Sequence, residues 1–298
     1  MSSAVPVITP QGRPGPGPAA PTVGTRGTAG ARAIGRAFAA AAAIPRTALI
    51  PYVVAGFPGL ETSFEAAIAC IDAGADLLEV GLPYSDPLAD GATLQRASGA
   101  ALKAGATFDR SIDLVRRIAE SRPRVPLVPM CYANQVIGGG DGRAAATRLA
   151  EAGAAGIIVA DLTPDEGAPF EAVARDVGLA VVYLVAPTTA PDRRRAIANR
   201  TGGFLYCVSL TGVTGARTSL PGHVARLVRE VKAGSPVPVA VGFGVSRPAH
   251  VKALTKAGAD GVIVASALVE ALGADGRDIA ALARLVRSLR EAGATLAT

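Results

Sequence analysis

In the stretch LEVGLPYSDPLADGATLQ, residues 78–95, Glu79 interrupts an apolar run, and Asp90 follows eleven residues later in a turn of Pro, Gly and Ser. Burial between Leu78 and Val80 disfavours the charged form of Glu79 and lifts its pKa toward neutrality, where a carboxyl serves as both acid and base. A second carboxylate in an unlike setting, such as Asp90 in its turn, can hold a different protonation state, so the pair could divide two proton transfers. On spacing alone, a glutamate buried for stability against an arginine explains Glu79 equally well.

Other chemistries lack their residues. The lysines are Lys103, Lys232, Lys252 and Lys256, all in helical patterns, so none can form a Schiff base from a strand. His223 and His250 are the only histidines and stand near helix starts without ligand spacing, which argues against a zinc or iron centre. No Ser-His-acid set is apparent, and no thiol has a histidine near it in sequence. What remains is acid–base chemistry by carboxylates and tyrosines, with no metal and no cofactor expected.

Three glycine-bearing loops suggest an anion site. GFGVS (242–246) and ASALVEAL (265–272) follow the last two apolar runs, and GVTGAR (212–217) follows the one before. Gly242 and Gly244 allow close backbone approach, Ser266 offers a hydroxyl, and the helix opening there points N–H groups outward. Ordinary tight turns are the alternative. Three such loops on neighbouring strands favour phosphate.

These residues need elements to position them. DAGADLLEVG (72–81), EAGAAGIIVAD (151–161) and KAGADGVIVAS (256–266) each close a helix with Gly74, Gly153 or Gly258 and then enter an apolar run. Such runs occur at 48–54, 77–81, 126–131, 156–160, 180–184, 204–208, 238–242 and 261–264, most of them followed by a helical pattern. Short runs without alternation mark a parallel sheet buried on both faces. Eight βα units in about 250 residues fit an α/β fold of the (β/α)8 TIM-barrel type, with a doubly wound open sheet as runner-up. No GxGxxG follows the first strand, which weakens a dinucleotide reading. Along the second strand Leu77, Glu79 and Gly81 share one face; if Leu78 and Val80 face the helices, Glu79 points into the barrel mouth.

LIPYVVAGFPG, LEVGLPYSDPLADG, MCYAN, SLTGVTGAR, GFGVS and ADGVIVASA together resemble the alpha subunit of tryptophan synthase, from about residue 49 to 272. The resemblance implies a cofactor-free barrel that cleaves indole-3-glycerol phosphate to indole and glyceraldehyde 3-phosphate. It further implies an alpha2beta2 complex, in which indole passes to a pyridoxal-phosphate beta subunit. By motif, Glu79 and Asp90 match the catalytic acids and Tyr206 the active-site tyrosine. Tyr52 and Leu94 match the walls of the indole pocket, and Tyr132 its mouth. Gly215, Phe243, Gly244, Ala265 and Ser266 fall at the phosphate positions, with Ser209 and Thr214 in the sixth loop.

The chain departs from the family pattern at Ala92, where Pro is common, at Leu210, where some members carry Arg, and at Ala265, where Gly is usual. Gln135 stands where apolar residues are frequent, and Gly138–Gly140 make a featureless tip in a region that faces the beta subunit in the family. A standalone lyase releasing free indole is therefore an alternative. So, in another class, is a non-catalytic phosphate-binding barrel that scaffolds a partner, although the retained pair Glu79 and Asp90 argues against it.

The net charge of +6 is a property of one end. Residues 1–46 hold Arg13, Arg26, Arg32, Arg36 and Arg46 and no acid, leaving 25 basic against 24 acidic residues elsewhere. No basic face for nucleic acid is implied. The Pro/Gly/Ala-rich residues 1–31 read as a disordered tail and 32–298 as the barrel domain, opening on a helix from Arg32 that Pro45 ends. Arg-rich and acid-free, the tail superficially resembles a transit peptide, but its few serines favour plain disorder. Cys70, Cys131 and Cys207 lie in apolar segments, as expected of reduced thiols in a cytoplasmic protein. No apolar run is long enough to span a bilayer.

Overall fold

The computed structural model describes residues 25–208, 222–242 and 244–294. Among them, nine parallel strands alternate with helices: α1 (Ala29–Ala43), β1 (Ala48–Val54), α2 (Leu60–Asp72), β2 (Leu78–Gly81), α3 (Ala92–Lys103), α4 (Phe108–Ser121), β3 (Leu127–Cys131), α5 (Ala133–Ile137), α6 (Arg143–Glu151) and β4 (Gly156–Val159). The chain continues through α7 (Pro164–Asp176), β5 (Ala180–Val182), β6 (Leu184–Val185), α8 (Pro191–Arg200), β7 (Leu205–Val208) and α9 (Gly222–Ala233). It ends with β8 (Val239–Gly242), α10 (Pro248–Lys256), β9 (Gly261–Val264), α11 (Ser266–Ala271) and α12 (Ile279–Ala292).

The strand order is β5-β4-β3-β2-β1-β9-β8-β7-β6, so the first strand pairs with the last. Only Tyr183 separates β5 from β6, and its carbonyl accepts from Tyr206 N at 3.0 Å, which brings the two ends of the order together. The sheet is therefore a nearly closed barrel rather than an open doubly wound sheet. The expected fifth run is broken in two because Tyr183 N donates sideways to the Thr201 hydroxyl, 2.8 Å away.

Side-chain alternation sorts the core into two shells. Leu49, Val53, Leu78 and Val80 pack outward against the helices. Ile50, Tyr52, Leu77, Val128, Ile158, Phe204 and Ile263 fill the barrel. Gly74, Gly153 and Gly258 end their helices with φ of 108°, 89° and 91°, in the left-handed region that glycine tolerates best. The three cysteines are buried and unpaired, and burial pushes the Cys70 and Cys207 thiols up to about 12.

Helix α1 lies against one end of the barrel interior. It begins three residues before Arg32 because the Thr28 hydroxyl caps it, accepting from Ala31 N at 3.1 Å. Of residues 25–31, read from sequence as the end of a tail, Thr25, Thr28, Gly30 and Ala31 are buried, and the Thr25 hydroxyl accepts from Val181 N at 2.9 Å. Ile34 is fully buried, and the Phe38 ring lies 5.8 Å from that of Phe204. At Gly30 a Cβ would sit 1.6 Å from the Ala155 carbonyl oxygen, so any side chain must push the helix away. Gly30→Ala is expected to lower stability by about 1–3 kcal/mol in urea unfolding.

Candidate active site

Glu79 sits on β2 beside Tyr52 of β1 and Val128 of β3. It is 1 % exposed, and neither carboxylate oxygen has a hydrogen-bond partner among the described residues. Burial first, then the negative charge of Asp90, raises its pKa to about 8. A carboxyl in this state is protonated at neutral pH, poised to give a proton and take one back.

Asp90 occupies the loop between β2 and α3. Its N–H donates to the Pro87 carbonyl at 3.0 Å, and its Oδ2 accepts from the Tyr132 hydroxyl at 3.3 Å. Burial raises its pKa to about 6, with the Tyr132 hydrogen bond acting in the other direction. The two acids thus differ in protonation at neutral pH, and the difference arises from solvation, the Asp90 charge acting on Glu79, and the Tyr132 hydrogen bond to Asp90.

Two tyrosines enter the same space over two glycines. A Cβ on Gly81 would lie 1.8 Å from the Tyr52 hydroxyl, and one on Gly242 would lie 2.4 Å from the Tyr206 hydroxyl. The missing side chains are the seats for the phenols. Burial and then the nearby acids push both phenols well above their ordinary pKa. Each stays protonated and can act as a hydrogen-bonding group but not as a base.

These groups line one cavity of about 450 Å³. Tyr52, Leu94, Met130 and Ile263 provide apolar wall, while Gly244, Val245, Ser246, Ala265 and Ser266 bring in the loops after β8 and β9. Gly244 has φ 76°, in the left-handed region that favours glycine. Ser266 opens α11, directly after Ala265.

Eight of the residues singled out from the sequence therefore converge here: Glu79, Asp90, Tyr206, Tyr52, Leu94, Gly244, Ala265 and Ser266. Tyr132 stands behind Asp90 rather than in the wall. Ser209, Thr214, Gly215 and Phe243 lie outside the described residues. The sequence reading missed Met130 and Ile263, which the alternation that located Glu79 would have found. It also missed Thr93, Arg247 and Glu270. Thr93 and Glu270 meet only because α3 packs beside α11, where the Thr93 hydroxyl donates to Glu270 at 3.2 Å.

Among the described residues no three His, Cys, Asp or Glu side chains gather as a metal site requires. The arrangement suits a ligand with a flat apolar part, a polar N–H or hydroxyl near two acids of different protonation, and an anionic end at the glycine-bearing turns.

The family described as tryptophan synthase alpha chain matches residues 38–295. The chain is 46 % identical over 265 residues to the tryptophan synthase alpha chain of Gloeobacter violaceus, covering 88 % of this chain and 95 % of that one. It is 44 % identical over 225 residues to that of Methanothermobacter thermautotrophicus, covering 76 % and 83 %. Among solved structures, tryptophan synthase from M. tuberculosis in an aminoacrylate-bound form superposes with a TM-score of 0.78 at 36 % identity, over 88 % of this chain and 99 % of that one. A mutant alpha-subunit from Pyrococcus furiosus superposes with a TM-score of 0.75 at 37 % identity, over 82 % and 98 %.

Proposed function

Because the chain belongs to the tryptophan synthase alpha chain family, it is a lyase that cleaves indole-3-glycerol phosphate, and we propose that Glu79 and Asp90 divide the proton transfers. Retro-aldol cleavage elsewhere uses a lysine imine or a metal as electron sink. Here the indole ring serves as its own sink. Glu79, protonated at rest, gives its proton to indole C3, and Asp90, ionised, accepts a hydrogen bond from the ring N–H that becomes positive. Glu79, now a carboxylate, takes the proton of the glycerol hydroxyl next to the ring. The carbon–carbon bond breaks, its electrons restore the aromatic ring, and the hydroxyl carbon becomes the aldehyde of glyceraldehyde 3-phosphate. The net movement is one proton from hydroxyl to C3.

The observation that carries this reading is Glu79 itself, a buried acid without hydrogen-bond partner among the described residues, in one cavity with Asp90. A barrel that only bound phosphate would have no use for it. The reading is tested by following indole release from indole-3-glycerol phosphate by the purified chain, with and without a tryptophan synthase beta subunit. We expect cleavage by the chain alone and faster cleavage with the partner; no indole in either case would refute it. Membership of the family supports a beta-subunit partner. No helix of the described residues is long and apolar enough to cross a membrane, which is compatible with action in the cytoplasm.

Gly244, Ala265 and Ser266 would hold the phosphate. A hydrogen bond to a charged group is worth about 1.5–3 kcal/mol, so Ser266→Ala should raise KM roughly 10- to 100-fold with kcat nearly unchanged. Steady-state kinetics would check this, and an effect confined to kcat would remove Ser266 from the phosphate site.

A further inference from the structure

The loop that carries Asp90 is held at both ends by the segment after β3. At its start, Gln135 Nε2 donates to the Pro83 carbonyl at 3.1 Å, while Gln135 Oε1 accepts from Tyr132 N at 3.0 Å. At its far end, the Tyr132 hydroxyl accepts from Ala89 N at 3.0 Å and donates to Asp90 Oδ2 at 3.3 Å. Between them the Tyr84 ring stacks on Tyr132, with centroids 5.0 Å apart, and the Tyr84 hydroxyl accepts from Asn134 Nδ2 at 3.3 Å. Helix α5 is in turn fixed to the end of β4, where Ala133 N donates to Asp161 Oδ1 at 2.7 Å.

We propose that Gln135 is a positioning residue for the cleavage, fastening Tyr132 and the Pro83–Asp90 loop together so that Asp90 is set for catalysis within the chain alone; this rests on the lyase reading above. A glutamine three residues into a helix often reaches back to the capping N–H. That role uses only Oε1. The amide end instead spans 52 residues of sequence to the base of the catalytic loop. Fixing the Tyr132 backbone fixes where its phenol stands, and the phenol is what contacts Asp90. Releasing Gln135 therefore frees the base of the loop and loosens the seat of the Tyr132 phenol at its far end, which weakens a hydrogen bond that favours the ionised form of Asp90.

The test is Gln135→Met, of similar length, a good helix former, and lacking both hydrogen-bonding ends. For the isolated chain we expect kcat on indole-3-glycerol phosphate to fall about 5- to 30-fold, the loss associated with one or two hydrogen bonds, with KM changed less than about twofold. The acid limb of the kcat profile should move to higher pH, because the Tyr132 bond to Asp90 is weakened. A purely structural cap would not move that limb. Glu79, Tyr52 and Tyr206 also act on this region electrostatically and are unchanged in the variant. In the Tyr132→Phe background, Gln135→Met should cost clearly less than in wild type, since the part of its effect that runs through the Tyr132–Asp90 contact is already gone. Wild-type turnover with an unchanged Gln135→Met profile, or full additivity with Tyr132→Phe, would overturn the proposal alone. A wild-type chain that released no indole would overturn the lyase reading and the proposal with it.

Discussion

Glu79→Gln is expected to abolish indole release, lowering kcat by at least about 10³-fold, while the barrel stays folded. One positioned acid–base group contributes roughly 10²–10⁴-fold, and Glu79 is asked to perform two of the proton transfers. Glutamine keeps the shape and neutrality of the resting acid but cannot move a proton. The same variant has a stability signature of definite sign. Folding raises the Glu79 pKa from 4.5 to about 8, so its contribution to stability is fully present below 4.5 and is lost as pH rises toward 8. Wild type should therefore weaken relative to Glu79→Gln across that window, and the gap should stay constant above it. Urea unfolding of both proteins at several pH values would measure the gap. A wild type that gained stability relative to Glu79→Gln with rising pH would mean that Glu79 is stabilised as a carboxylate, and the proposed resting state would be wrong.

A second buried glutamate shows why the gap is expected. Glu171 of α7 is also fully buried, but its Oε1 accepts from the Tyr183 hydroxyl at 2.6 Å and from Arg200 Nε at 3.0 Å. It is the arginine-paired structural acid that spacing alone could not distinguish from Glu79. Sequence read the inward face of β2 correctly because a strand's side chains alternate, whatever surrounds it. It could not read partners, because Arg200 and Tyr183 reach Glu171 from α8 and from the break between β5 and β6. The same limit hid Gly81 and Gly242 as seats for Tyr52 and Tyr206, since those fits cross between neighbouring strands. The eight runs were legible because a parallel sheet buried on both faces demands them. The break at Tyr183 was not, since it depends on one hydroxyl of Thr201. At the proposed phosphate end, three glycine-bearing loops were legible as motifs. Of these, the residues after β8 and β9 reach the cavity through Gly244, Ala265 and Ser266.

Asp90→Asn is expected to lower kcat by about 10²- to 10⁴-fold and to change the shape of the pH profile as well as its height. In wild type, activity should rise as Asp90 ionises near 6 and fall as Glu79 ionises near 8. These are apparent values of a coupled pair, because each acid's charge acts on the other. Asparagine removes the acid limb, leaving residual activity flat below neutrality. It also removes the negative charge that helps to hold the Glu79 proton, so the alkaline limb should move to lower pH. Burial, the larger cause of the Glu79 shift, remains, and that limb should stay above the ordinary carboxylate range. Indole release followed from about pH 5 to pH 9 separates the cases. An acid limb that survived the substitution would assign it to another group, and an alkaline limb that did not move would mean the two acids do not share one field.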